Sequence, residues 1–556
     1  MAGYIGKAQS LANLSEADTL DSVTGRGATT ANDLSLTGDL SVDGGTIKLD
    51  GNYPVGTENV ALGNEALDAL TSGGDYNTAL GYAALTANTS GQRNTAVGRT
   101  AMSSNATGSY NTAVGMASLS ASGSGNSNTG LGYNALANNT TASNNTAVGF
   151  EALVVNTTGT QNVAVGYLAL DANTTTSNNT AIGGNSLSAN IAHNNTALGY
   201  NTFAVNTTGT DGVAIGAYAL DSNTTGTNNV GIGRDALGAN TTGASGTAVG
   251  YQAGGSVTTG SGNSYFGMQA GYSNTTGIFN TAVGYNALYT STASYNTACG
   301  MYALRYTTSG GYNTAVGYNA LQGNTTATFN TALGWSALSA STTGDSNVAV
   351  GVSASGNLTT GSQNTVMGRY AGGAITTGNE NVVIGHYAGA SGTNDLTTGS
   401  YNVLIGRLAH MSSASGQEQI VIGFNAQGKG NNTTFVGGGS GAYQANNSSS
   451  WSTTSDERLK KNIVDNTDGL DKINAIQVRN FEYRTEDEIT ELEPSNVIQI
   501  EGTQLGVIAQ EIQQVCPQMV KEESTGVLSV DTDNLVWYLI NAVKELSAKV
   551  EALENA

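Results

Sequence analysis

The stretch NTAVGYNAL occupies residues 280–288 and returns unchanged at 313–321. Variants of it begin at 22 positions, from Asn59, Asn77, Asn94 and Asn111 through to Asn364, Asn381, Asn402 and Gln419. Nearly every step is 17 residues. The largest, 21, separates Asn381 from Asn402, where SGTNDLTTGS supplies the extra residues. Nothing holds a disordered chain to so regular a period, so the repeat dominates the reading of the fold.

The unit reads approximately N-T-A-V-G-Y-x-A-L-x-x-N-T-T-G-x-x. Alternation over its second to fourth residues predicts a short strand. The aliphatic fourth residue is expected to face a core and the small third residue to face something close. Gly at the fifth position ends the strand and allows a sharp bend. The following A-L predicts a second short strand, and N-T-T-G a turn. The unit is too short for a βαβ crossover and has no helical period. It fits one coil of a β-solenoid, in which equivalent Asn and Thr residues stack into ladders. Such a coil has a thin core, which favours packing against further copies of the chain. The sequence leaves open whether each chain forms its own roll, about 100 Å long for 22 rungs, or three chains share each turn, near 300 Å.

The strings NVAVGYLAL from Asn162 and NVVIGHYAG from Asn381 resemble the N-[ST]-V-A-I-G repeats in the β-roll heads of trimeric autotransporter adhesins. Similar strings occur in phage tail fibres. The unit here is a few residues longer than in typical adhesin heads. Its sixth position is often aromatic or Arg, as at Tyr82, Arg99, Tyr133, Phe150, Tyr167, Arg234 and Trp335. We read that column as a stack sealing a seam between subunits, with a receptor-facing ladder as the alternative.

Composition narrows the classes of function. A net charge of −21 and no basic stripe argue against nucleic acid and anionic membrane as partners. No run approaches the ~18 apolar residues of a membrane span. The start, MAGYIGKAQSL, has no long apolar core and is not expected to act as a secretory signal. Three scattered histidines, His193, His386 and His410, argue against a His-based metal site, and no cofactor is expected. Two cysteines, Cys299 and Cys516, lie in segments of different character, and a disulfide between them is unsupported. GFNAQGKGNN (423–432) imitates a phosphate-binding loop but has Gly430 where Ser or Thr must bind magnesium. The many N-x-T strings read as turn chemistry.

The predicted organisation has four parts. Residues 1–58 form an N-terminal attachment segment with short strands, such as LSLTGDLSVDGGTIKLDG (34–51). Residues 59–437 form the repeat shaft and 438–454 a turn-rich connector. Residues 455–556 form a separate domain that holds 29 of the 59 charged residues. Val536, Leu539, Val543, Leu546, Val550 and Leu553 near its end form a heptad seam of a coiled-coil helix.

At the border of that domain the chain reads SDERLKKNI (455–463). A Ser hydroxyl needs a base to become a nucleophile. No His lies in this domain, so Lys460 is the candidate base for Ser455, with Arg458 and Lys461 as neighbouring positive charge. Composition alone favours the plainer reading, a capping Ser-Asp pair that starts a charged helix. Ser455, Asp456, Arg458 and Lys460, with Asn462 and Ile463, resemble the signature of the C-terminal intramolecular chaperone of phage tail spikes and fibres, the endosialidase-type self-cleaving domain. GVIAQEI (506–512), Pro517 and the terminal helix extend the resemblance over about 100 residues.

The resemblance implies a domain that trimerises, brings three chains into register and then cuts itself off. Ser455 would be the nucleophile and Lys460 the base, with Asp456 and Arg458 orienting the site. The cut would fall between Thr454 and Ser455. The expected protein is mostly β: a homotrimeric β-solenoid of 17-residue repeats, then a small α+β chaperone domain ending in a coiled coil. Its expected role is a tail fibre of a bacteriophage virion, made in the host cytoplasm. It would be joined to the tail or baseplate by its N-terminus and would bind a host-surface glycan or protein. A bacterial surface adhesin and a polysaccharide-degrading tail spike are the rival readings.

Overall fold

The computed structural model describes residues 57–437 except 72 and 393, the backbone of 441–445, and 455–556 except 491–497, 499 and 523–525. The expected N-terminal segment and most of the expected connector, Thr454 included, lie outside the described residues. The chain divides into two compact units between Thr453 and Thr454.

In the first unit every repeat contributes one three-residue strand, from β1 (Val60–Leu62) to β22 (Ile420–Ile422). Each strand pairs in parallel with the strand of the next coil in the same chain, residue on equivalent residue: Thr314 with Thr331, Ala315 with Ala332, Val316 with Leu333. The chain therefore stacks on itself, one rung per repeat, which settles the geometry the sequence left open. At about 4.8 Å per rung the 22 coils extend about 100 Å. The stack ends where β23 (Thr433–Gly437) pairs in parallel with β22 and then in antiparallel fashion with β24 (Gly441–Ala445).

Two expectations for the coil are corrected. The small third residue, Ala79, Ala96 or Ala113 for example, is the buried one, and the aliphatic fourth residue faces outward. A three-residue strand can turn only its middle side chain inward; in most coils that residue is Ala, and Val366, Val383, Leu404 and Val421 take the place in the last four. The A-L pair forms no second strand. It lies in a turn whose seventh and ninth residues take positive φ, as Ala83 (54°) and Leu85 (50°) do. Alternating handedness curls the chain tightly and drives the ninth residue inward, where Leu85, Leu136, Leu153 and Leu170 are fully buried.

The fifth-position glycine behaves as expected. Gly166 has φ +143°, and a Cβ there would sit 2.4 Å from the carbonyl oxygen of Gly183 one coil above. Any side chain would pry the rungs apart.

Asn at the first and twelfth positions lines the interior as two ladders. Asn162 donates from Nδ2 to the carbonyl of Thr176 at 2.9 Å, and its Oδ1 accepts the backbone N–H of Asn179 in the next coil at 3.0 Å. Asn223 donates to Oδ1 of Asn206 at 2.8 Å, and Asn240 to that of Asn223 at 2.7 Å. Thr side chains continue the pattern outside, as where Thr224 Oγ1 donates to the Thr241 carbonyl at 3.0 Å. These bonds satisfy backbone groups that the short strands leave unpaired.

Core volume is conserved locally where residue types change. Phe203 replaces a core Leu, and the next coil begins with Gly212, whose Cβ would lie 2.5 Å from the ring. Tyr265 replaces a core Ala. Gly254 and Gly271 replace Leu on either side, where added Cβ atoms would meet the ring at 2.9 and 2.3 Å. Burial pushes the Tyr265 phenol well above its ordinary value, and Asn274 Nδ2 donates to its oxygen at 2.5 Å.

The second unit is small and mixed. It contains helix α1 (Leu470–Ala475), the antiparallel pair β25 (Arg479–Phe481) and β26 (Gln504–Gly506), and helix α2 (Ala509–Val515). A second antiparallel pair follows, β27 (Val520–Glu522) with β28 (Leu528–Val530), and then the 20-residue helix α3 (Leu535–Glu554). Ile512, Cys516, Met519 and Tyr538 form its buried centre. The chain enters α1 through Gly469, where a Cβ would lie 2.6 Å from the Ala542 backbone nitrogen of α3.

Two predictions follow from the shaft. Asn162→Leu keeps the volume but orphans the buried Asn179 N–H, at about 1–3 kcal/mol, and leaves the Thr176 carbonyl with the bond from Asn173 Nδ2. Chemical denaturation should show a loss of about 2 kcal/mol. The second concerns Asp171 and Asp221, whose carboxyls are held above the ordinary 3.8 by partial burial, with Glu151 and Asp235 adding repulsion. A raised carboxylate destabilises the fold above its folded pKa and is relieved as pH falls toward 3.8. Asp171→Asn with Asp221→Asn should raise the melting temperature at about pH 7, and the gain should vanish below the ordinary carboxylate range. Thermal melts across pH measure both.

Candidate functional site

The stretch that carries Ser455 starts the second unit. Asp456 is the cap of a short 3₁₀ turn, Glu457–Leu459; its side chain accepts the Arg458 backbone N–H at 2.9 Å. The local reason is the residue order: an Asp two residues before a backbone donor closes an Asx-type turn. Ser455 is not the cap. The turn carries Lys460 back over the start of the segment, and its Nζ donates to Ser455 Oγ at 2.6 Å.

Asp456 and Arg458 engage each other. The Arg458 guanidinium forks onto the carboxylate, with Nε–Oδ1 at 3.0 Å and Nη2–Oδ2 at 2.5 Å. That hydrogen bonding holds the Asp456 carboxyl below, and the Arg458 guanidinium above, their ordinary values. Arg458 therefore directs its charge at Asp456, and the pair braces the turn that sets the Ser–Lys distance. The four sequence-predicted residues come together within one turn, while the expected scissile partner Thr454 lies outside the described residues.

Both Ser455 and Lys460 are exposed in the single chain. An amine serves as a base only once it sheds its proton, and desolvation is the usual means. The geometry puts hydroxyl and amine in contact, and both stand open to solvent in the single chain. The same holds for α3, whose heptad residues Val536, Leu539, Val543, Leu546, Val550 and Leu553 are all exposed. Among the described residues, no three of His, Cys, Asp and Glu gather where they could hold a metal ion. No helix among them is long and apolar enough to cross a membrane.

The shaft has a surface feature that the sequence reading missed. Besides the sixth-position column, where Tyr133, Phe150 and Tyr167 stack at 5.2 and 5.5 Å, a second aromatic ladder occupies the residue before the repeat Asn. Phe279, Tyr295, Tyr312 and Phe329 stack at 5.7, 4.8 and 5.2 Å. Arg93 sits between Tyr76 and Tyr110, 5.2 and 5.3 Å from the ring centres. The signal was available: aromatic residues recur at that position in consecutive repeats.

Residues 455–521 match a family model described as chaperone of endosialidase. The match opens on Ser455 itself. It places an endosialidase-type chaperone domain after a solenoid of 22 coils, an arrangement that fits a tail fibre, and the family implies trimerisation. No curated protein matches the chain.

Proposed function

We propose that this chain forms the shaft of a bacteriophage tail fibre, trimerised by its C-terminal unit, which then releases itself by cutting between Thr454 and Ser455. The observation that carries this reading is the junction. Beyond a shaft of near-identical coils and a connector, the chaperone match begins at a Ser whose hydroxyl receives a hydrogen bond from Lys460.

The reason for such an arrangement is register. In-register pairing of one coil with the next is satisfied almost as well by a coil one repeat further on, so three chains assembling side by side can slip by whole rungs. A C-terminal domain that trimerises first aligns the three shafts before they zip. Its removal closes the return route, and the fibre persists because unfolding is slow.

The chemistry uses this chain's own groups. Lys460, once desolvated by partner chains, takes the Ser455 hydroxyl proton, and Oγ bonds to the Thr454 carbonyl carbon. The Thr454–Ser455 C–N bond breaks as the nitrogen gains a proton, leaving an ester between Thr454 and the Ser455 side chain. Water hydrolyses that ester, freeing the Thr454 carboxylate and the Ser455 hydroxyl. Enclosure by partners ties cutting to assembly, so a lone chain stays whole. The fibre would be made in the host cytoplasm, join the virion tail or baseplate through its N-terminal segment, and meet a surface glycan or protein of the host. The aromatic ladders suit such contact through their outward edges and Tyr hydroxyls, since rings stacked along the axis keep their faces covered.

Wild-type chain, Ser455→Ala and Lys460→Ala should be expressed and compared on denaturing gels, with fragment masses measured. The wild type should yield two fragments meeting at Thr454/Ser455, and both variants should remain full length. Hydroxylamine should cleave any accumulated ester and leave a hydroxamate on Thr454. Cutting in both variants, or an uncut wild-type trimer, would overturn the Ser–Lys reading.

A further inference from the structure

Every coil strand after the first buries its middle residue, and all turn their first and third outward. The third strand residue is Leu, Val, Ile, Phe, Cys or Met in all 22 coils, and the first is Thr, Val, Ser or Ile. No charged residue occurs in any of these strands, although residues 59–437 carry 12 acidic and 7 basic side chains. The lane is open to solvent in the single chain: Leu80 and Leu131 are 44% exposed, Leu333 48% and Met367 47%. It presents on the order of 1,000 Å² of apolar side chain, more than the few hundred Å² that soluble monomers leave bare. That is also about the area each partner contributes to a stable interface.

We propose that this lane is the seam along which copies of the shaft pack. The inference rests on the trimeric reading above and locates its interface. It moves the seam from the sixth-position aromatic column, where the sequence suggested it, to the strand face. The occupant is a second copy of this chain, for two reasons. Only a partner with the same axial repeat meets an apolar side chain at every rung, and the strands of another copy have that repeat. A charge-free lane also lets two copies touch without setting like charges against each other.

The lane contains its own reporter. Cys299 is the outward third residue of the strand Thr297–Cys299, and it is a free, exposed thiol in the single chain, whereas Cys516 is buried. If the lane is the seam, Cys299 is covered in the assembly.

The test uses the full chain. Its native mass is measured by sedimentation, and maleimide labelling at Cys299 is followed by peptide mapping before and after denaturation. Thr225→Cys in a Cys299→Ser background supplies a thiol in an exposed turn off the lane. In a three-chain assembly Cys299 should react at least tenfold more slowly than Thr225→Cys, and both should react fully once denatured. Ile215→Glu with Ile232→Glu, which place charge on adjacent outward positions, should lower the native mass while β circular dichroism persists. A three-chain mass with Cys299 as reactive as Thr225→Cys would put the seam elsewhere and sink this proposal alone. A single-chain mass would remove the trimeric reading and this proposal with it.

Discussion

Equivalent residues lie on top of one another in this shaft, and the side-chain amide of Asn is what makes that stacking specific. A three-residue strand supplies too few backbone bonds to hold a rung. The first-position Asn closes its own coil through Nδ2 and ties the next through Oδ1, as Asn162 does with Thr176 and Asn179. Both groups are buried, so a coil shifted within its period would leave them unpaired, at a cost comparable to all that the rung gains. A shift by a whole period leaves them satisfied. The same interaction thus fixes the fold of one chain and leaves the alignment of several chains undecided.

That ambiguity explains why the two units belong together. The shaft's bonding is locally exact and globally degenerate, while the C-terminal unit has no 17-residue repeat. Its helix Leu535–Glu554 exposes a heptad stripe, and its first turn exposes Ser455 with Lys460 in contact. Both features stand open to solvent in the single chain. Asp456 and Arg458 show how little fold the site requires: one Asx turn and one forked ion pair hold the geometry before any partner arrives.

The core shows how a repeat tolerates variation. Ala inside and Leu at the ninth position fill a narrow lumen. Where Tyr265 intrudes, Gly254 and Gly271 give way, and where Phe203 intrudes, Gly212 does. Deviations from the repeat unit therefore come in spatially paired sets spread over neighbouring coils. A reading of one repeat at a time takes Gly212 for a lost Asn, when it is half of a compensating pair.

The sequence by itself determined the period, the number of coils, the strand in each, the Gly bend and the Asn ladders, because each follows from one residue type recurring at one spacing. It also singled out Ser455 and Lys460, five residues apart. Only the tertiary structure decided which strand face is inside. Alternation says that neighbours point opposite ways and is silent on which way is in; the width of the lumen chose Ala and left the larger residue out. Likewise A-L looked like a strand by composition, and positive φ at the seventh and ninth positions made it a turn. The capping role passed from Ser455 to Asp456 because the turn's geometry, and not its composition, selects which oxygen meets the free N–H.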